Sequence, residues 1–132
     1  MTPSGAEPLV EVKRVGKTFA SGTVALASLD LAVFPGEFLT LLGPSGCGKS
    51  TVLRMIAGLT PPSSGALRWH RQGRAEIGFV FQEPTLMPWT SVFNNVWLPL
   101  RLRGISKSAA AKRINTALAL VGLSDFAFAF PR

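Results

Sequence analysis

Eight consecutive residues, Gly43-Pro44-Ser45-Gly46-Cys47-Gly48-Lys49-Ser50, match the spacing G-x-x-x-x-G-K-[ST] at every fixed position. That pattern suits one task, the holding of a nucleotide's phosphates. Several negative charges must enter one small site. Glycines let backbone N–H groups turn inward and come close to the oxygens. A helix starting near Lys49 aims the positive end of its dipole at the same place. Lys49 supplies a point charge for the β- and γ-phosphates, and the Ser50 hydroxyl is a hard oxygen ligand suited to Mg²⁺. Thr51 extends the nucleotide-contacting stretch by one residue. The bland alternative is a glycine-rich turn carrying a surface lysine.

The flanking residues fit that use. Phe38-Leu39-Thr40-Leu41-Leu42 is a nearly continuous apolar run of strand length, which predicts a buried central strand entering the loop. Val52, Leu53, Ile56 and Ala57 follow at helical spacing, and Gly58 is a helix stop. Upstream, Val10, Val12 and Val15 predict a first strand, and Leu29, Leu31 and Val33 a second, before the Pro35-Gly36 turn. Residues 60–65 read as a loop and Leu67 with Trp69 as the start of a hairpin strand. Ile77 to Phe81 predicts another buried strand, ending at Gln82. From Ser91 the pattern turns helical, over roughly 91–102 and 106–121. In the second helix Ile114, Ala117, Leu118 and Val121 form one apolar face. Gly122 is a C-cap, and Ser124 caps a short last helix that stops before Pro131.

The 132 residues suffice for one domain with a core. Hydrophobic residues make up 47 % and charged residues 16 %, which excludes a disordered tail. No apolar stretch approaches the roughly 20 residues of a membrane span. Residues 1–9 read as a loose leader without the layout of a secretory signal, so the expected compartment is the cytoplasm. The net charge of +7 is spread over separated groups, including Lys13, Arg14, Lys17, Arg68, Arg71, Arg74, Arg101, Arg103, Lys107, Lys112 and Arg113. With no dense basic run interleaved with aromatics, nucleic acid is not an expected partner. Carboxylates are scarce: after Glu83 only Asp125 follows. Cys47 is the single cysteine and reads either as a thiol activated by its loop or as a small residue at a variable position, the second being favoured. His70, the single histidine, has no ligand at metal spacing and reads as a solvated surface residue.

Taken with its context, the chain resembles the ATP-binding subunits of ATP-binding cassette transporters. "LTLLGPSGCGKSTVLRMIAGLTPPSSG" is similar to that family's strand, P-loop and helix. "IGFVFQEPTLMPWTSVFNNV" is similar to its Q-loop region, and "VEVKRVGKTFASGTVALASLDLAVFPGE" to its opening strands. Within the family, "FVFQEPTLMPW" and "DFAFAFPR" most resemble importers of the nitrate, sulfonate and taurine group. The resemblance implies an α/β fold: part of a P-loop core sheet, an antiparallel β piece from the N-terminal strands, and the start of a helical subdomain. It divides residues 10–132 into a P-loop and β core (10–89) and that subdomain (90–132).

The resemblance also implies roles. Phe19 would stack on adenine, the other reading being a core phenylalanine at a strand end. Gln82 would be catalytic with Lys49, reaching Mg²⁺ or the attacking water. Glu83, Met87 and Trp89 would meet a transmembrane permease subunit, or else pack locally. Asn94 stands where the family commonly carries Glu, which weakens a capping box based on Ser91. Expected cofactors are ATP and Mg²⁺. Expected partners are the permease and a second ATP-binding subunit, at the inner face of the cell membrane. The family's signature, its strand ending in Asp-Glu and its switch histidine are missing, so the chain reads as truncated and is expected to lack turnover alone. A soluble P-loop kinase-like phosphotransferase is the alternative. It would need a catalytic base or an arginine lid downstream, and Gln82 followed by "EPTLMPW" argues against it. A cassette protein working on nucleic acid would need a continuous basic patch.

Overall fold

The computed structural model describes residues 7–70 and 77–131. Most of the leader, together with Arg71 and Arg74, lies outside the described residues. The chain divides into two compact units, Met1–Phe79 and Val80–Arg132.

In the first unit, β1 (Val10–Thr18), β2 (Val24–Val33) and β3 (Ser64–Trp69) form an antiparallel sheet of order β2-β1-β3. Val10 and Val12 are two residues apart and share a face. Val15 is three further on and would point away from that face in a regular strand. A bulge between Val12 and Val15, with Arg14 at φ 46°, adds the residue that returns Val15 to the inner face. All three valines are then at most 2 % exposed. The Arg14 N–H donates to Asp30 Oδ1 of β2 at 2.9 Å, which satisfies the amide that the bulge displaces.

Helix α1 (Lys49–Ile56) lays Val52 and Met55 on these valines. It ends as the sequence predicts. Gly58 N–H donates to Met55 O and Leu59 N–H to Arg54 O, the paired bonds of a Schellman motif. Leu53, expected on the apolar face, is half exposed, and Met55 takes the buried place instead.

Two strand expectations fail. Residues 38–42 and 77–81 are not strands. Phe38, Leu42 and Val80 are 94 %, 89 % and 94 % exposed, and of the first run only Leu41 reaches the core. A strand exists through its ladder, and neither run joins the sheet β2-β1-β3. Apolar composition alone did not produce one.

The second unit contains α2 (Val92–Leu102), α3 (Lys107–Leu120) and a 3₁₀ turn at Ser124–Phe126. Ser91 and Ser106 cap the helices by accepting the N–H groups of Asn94 and Ala109, each at 3.3 Å. Gly104 and Gly122 close them with the same paired bonds as α1. The core joins Phe93, Leu100, Ala110, Ile114, Leu118 and Ala127. Ala117 and Val121 lie outside it, against expectation. The buried stripe runs 110, 114, 118, narrower than the periodicity implied, because α3 meets its neighbours on one side only and Val121 is already the C-cap. Ser124 opens the last turn but caps nothing with its side chain. No helix among the described residues is long and apolar enough to cross a membrane.

Candidate functional site

The loop from Gly43 to Gly48 leads directly into α1. Gly48, the N-cap, sits at φ 94°. A Cβ there would lie 2.5 Å from the Ala25 carbonyl oxygen of β2, so the loop rests against the sheet with no room for a side chain. Gly46 has φ 82° and nothing within 4 Å of the Cβ it lacks. One glycine is dictated by contact and backbone together, the other by backbone alone. No side chain caps α1, so the N–H groups of its first turn are left for an anion.

Lys49 folds back over the loop. Its Nζ donates to the carbonyl oxygens of Gly43 at 2.8 Å and Pro44 at 2.7 Å, and stands 3.5 Å from Cys47 Sγ. The ammonium is thereby held within the turn that a phosphate group would enter. The Ser50 side chain is exposed one residue into the helix, and Thr51 is half-buried behind it. The loop thus brings together Gly43, Pro44, Ser45, Gly46, Cys47, Gly48, Lys49 and Ser50. Open backbone N–H groups, a fixed cation and a hydroxyl fit a phosphate chain with its Mg²⁺. Cys47 is exposed.

Phe19 follows β1 in the turn to β2, where its N–H donates to Thr23 O and its carbonyl accepts from Gly22. It is 42 % exposed, and the Lys17 ammonium stands 5.5 Å from its ring centroid. The side chain is therefore not a core phenylalanine.

His70 departs from its solvated reading. It is only about a quarter exposed and lies between two carboxylates, Glu7 Oε1 at 3.2 Å from Nδ1 and Glu11 Oε2 at 3.5 Å from Nε2. The sequence spacing hid this because residues 7, 11 and 70 meet only when β3 pairs with β1. The carboxylates sit on opposite ring nitrogens. Among the described residues no group of three or more His, Cys, Asp or Glu side chains is placed to hold a metal. Lys13 hydrogen-bonds Glu11 at 2.9 Å and holds its carboxyl below the ordinary range, with a smaller contribution from His70.

Gln82 and Glu83 belong to the second unit and are exposed. Gln82 follows an irregular segment, not the buried strand expected for it. Trp89 is 75 % exposed and Met87 half-buried, so Trp89 is not held in local packing. The residue that orders this segment is Asn95, which sequence reasoning missed. Its side chain bonds the backbone of Met87, Thr90 and Ser91. The available signal was the pair of amides, Asn94 and Asn95, in the first turn of a mostly apolar helix.

Three comparisons bear on this arrangement. The profile of the ABC transporter family matches residues 26–131. The spermidine/putrescine import ATP-binding protein PotA of Pseudomonas aeruginosa is 42 % identical over 132 residues, covering 95 % of this chain and 35 % of that protein. The Fe(3+) ions import ATP-binding protein FbpC of Pasteurella multocida is 43 % identical over 123 residues, covering 87 % of this chain and 35 % of that protein. The chain thus spans about a third of the length of these curated relatives. Among solved structures, an ATP-binding cassette dimer in a post-hydrolysis state with ADP and Pi superposes with a TM-score of 0.80 at 32 % identity, over 92 % of this chain and 61 % of that one. The cbiO1 protein of Clostridium perfringens, part of the ABC transporter complex cbiONQ, gives 0.73 at 26 % identity, over 94 % and 54 %.

Proposed function

The chain belongs to the ABC transporter family, and we propose that it is the phosphate-binding part of an ATP-binding subunit that powers a membrane importer. One observation carries the reading. The Lys49 ammonium is fixed inside a glycine loop at the uncapped start of α1, with Ser50 beside it. ATP would be held by Lys49 and by the backbone N–H groups of the loop other than Pro44, which has none, and Mg²⁺ by the Ser50 hydroxyl; the resemblance adds Gln82 as a second metal ligand. Lys49 would exchange its bonds to the Gly43 and Pro44 carbonyls for phosphate oxygens. Bound Mg²⁺ would offset the charge of the phosphate oxygens.

Phe19, exposed in the β1–β2 turn, is proposed to stack on the adenine. Glu83, Met87 and Trp89 are proposed to meet a transmembrane permease subunit, because an exposed tryptophan on a segment ordered by Asn95 suits an interface anchor. A second ATP-binding subunit and a place at the cytoplasmic face of the membrane complete the proposal. The likeness of residues 79–89 and 125–132 to the nitrate, sulfonate and taurine importers is the whole basis for that subgroup. The relatives above are named for polyamine and iron import, so the reading put forward is the importer class without a solute. Nucleotide binding is the activity proposed for these residues.

Calorimetric titration with Mg·ATP tests the reading. Charge-assisted hydrogen bonds contribute about 1.5–3 kcal/mol each, so Lys49→Ala should weaken binding by more than tenfold. Equal affinity in the two proteins would remove it.

A further inference from the structure

We propose that the α2–α3 end of the second unit is a docking surface for an anionic phospholipid bilayer. This goes beyond the reading above, in which the partner is a protein. The first observation is charge. No Asp or Glu occurs from residue 84 to 124, while Arg101, Arg103, Lys107, Lys112 and Arg113 all fall there. None of the ion pairs formed among the described residues involves Arg101 or Lys107.

The second observation is how two of these cations are placed. The Arg101 guanidinium lies 5.6 Å from the centre of the Trp97 ring and the Lys107 ammonium 5.9 Å from the same ring. Lys107 also stands 5.3 Å from the Phe93 ring. Two cations thus stand against one indole, neither ion-paired with a carboxylate among the described residues, and an anion would meet both charges at once. The third observation is apolar. Leu102, between Arg101 and Arg103 at the end of α2, is 80 % exposed. Lys107 also lines an open cavity of about 530 Å³ walled by Phe93, Leu118 and Phe128.

Cations beside an indole and a protruding leucine match the headgroup layer of an anionic leaflet, where charge is attracted at the surface and a single apolar side chain can enter the acyl boundary. A nucleic acid would use the cations but give Leu102 no apolar place. A bilayer uses both.

The test is co-sedimentation of the 132-residue chain, without nucleotide, with vesicles of phosphatidylglycerol and phosphatidylcholine against phosphatidylcholine alone. Binding should require the anionic lipid and weaken as salt is raised. Arg101→Gln and Lys107→Gln should each reduce binding about fivefold, since each cation near the surface adds that much. Leu102→Ala should weaken it in a way that salt does not restore. Arg101→Lys keeps the charge and should retain binding. Arg68→Gln, on the first unit, should change nothing. A second readout does not depend on affinity. With Trp69→Phe and Trp89→Phe leaving Trp97 as the only tryptophan, brominated lipids should quench its fluorescence. Equal binding to neutral vesicles, no effect of the two glutamine variants, absence of quenching, or binding of a short DNA duplex without vesicle binding would each overturn the proposal. Because no nucleotide is present, failure here leaves the ATP reading untouched.

Discussion

Asn95 holds Met87 by both of its backbone groups. Its Oδ1 accepts the Met87 N–H at 2.8 Å, and its Nδ2 donates to the Met87 carbonyl at 3.1 Å. The same amide reaches Thr90 O and Ser91 O, the latter at the N-cap of α2. One side chain thus does for an irregular segment what a ladder does for a strand. Removing it takes the side-chain partner from the Met87 N–H and the Thr90 carbonyl, at about 1–3 kcal/mol. Asn95→Ala is expected to lower the urea midpoint and to speed amide exchange at Met87 far more than at Ile114. Unchanged exchange at Met87 would mean that the segment is ordered by something else.

Gly46 and Gly48 make a matched pair for testing the loop. Both have φ in the left-handed region, where a Cβ costs about 1–2 kcal/mol. Only at Gly48 would the Cβ also meet the Ala25 carbonyl at 2.5 Å. Gly46→Ala should therefore lose stability by about that amount, and Gly48→Ala by clearly more, with α1 displaced from β2. Chemical denaturation of both variants decides it, and equal losses would show that the sheet yields easily at Ala25.

The phosphate loop is legible from sequence because it is a contiguous pattern, so its chemistry does not depend on long-range folding. The stops at Gly58 and Gly122 and the cap at Ser91 are equally local. The features that escape a linear reading are non-local. Residues 38–42 and 77–81 have strand composition, yet a strand also needs a neighbour. The His70 cluster joins residues 63 positions apart across a strand pairing. Asn95 acts on the backbone of residues 87, 90 and 91, so its amide marks the position in the sequence without naming its partners. The buried stripe on α3 is narrower than its apolar face because periodicity reports which residues are apolar and not how many neighbours the helix has.

Acid should loosen the first unit through Glu11. Hydrogen bonding by Lys13 favours the charged carboxylate in the folded protein, so the folded group titrates below its unfolded counterpart. Its contribution is present above the unfolded value and is lost as pH falls through the folded one, a window that opens at the ordinary glutamate value of about 4.3. Denaturation midpoints followed from neutral to acid pH should fall less steeply for Glu11→Gln than for the parent. Parallel curves would show that the pair with Lys13 is too exposed to matter.

Phe19 offers the sharpest separation of nucleotide recognition from stability. The ring is 42 % exposed and belongs to neither hydrophobic core, so truncating it removes little buried area. Phe19→Ala should therefore unfold within about 1 kcal/mol of the parent. If the ring stacks on adenine, the variant should lose about 1–3 kcal/mol in binding ATP and ADP, by analogy with base–aromatic stacking elsewhere. Inorganic triphosphate has no base to stack and should bind as before through the loop and Lys49. Lys17 adds a second arm, since its ammonium lies over the same ring and donates to Pro61 O at 2.8 Å. Lys17→Met should leave triphosphate affinity unchanged and alter the adenine term alone. Equal weakening of all three ligands in Phe19→Ala would place the effect on the loop's geometry. No weakening of any would remove Phe19 from the site.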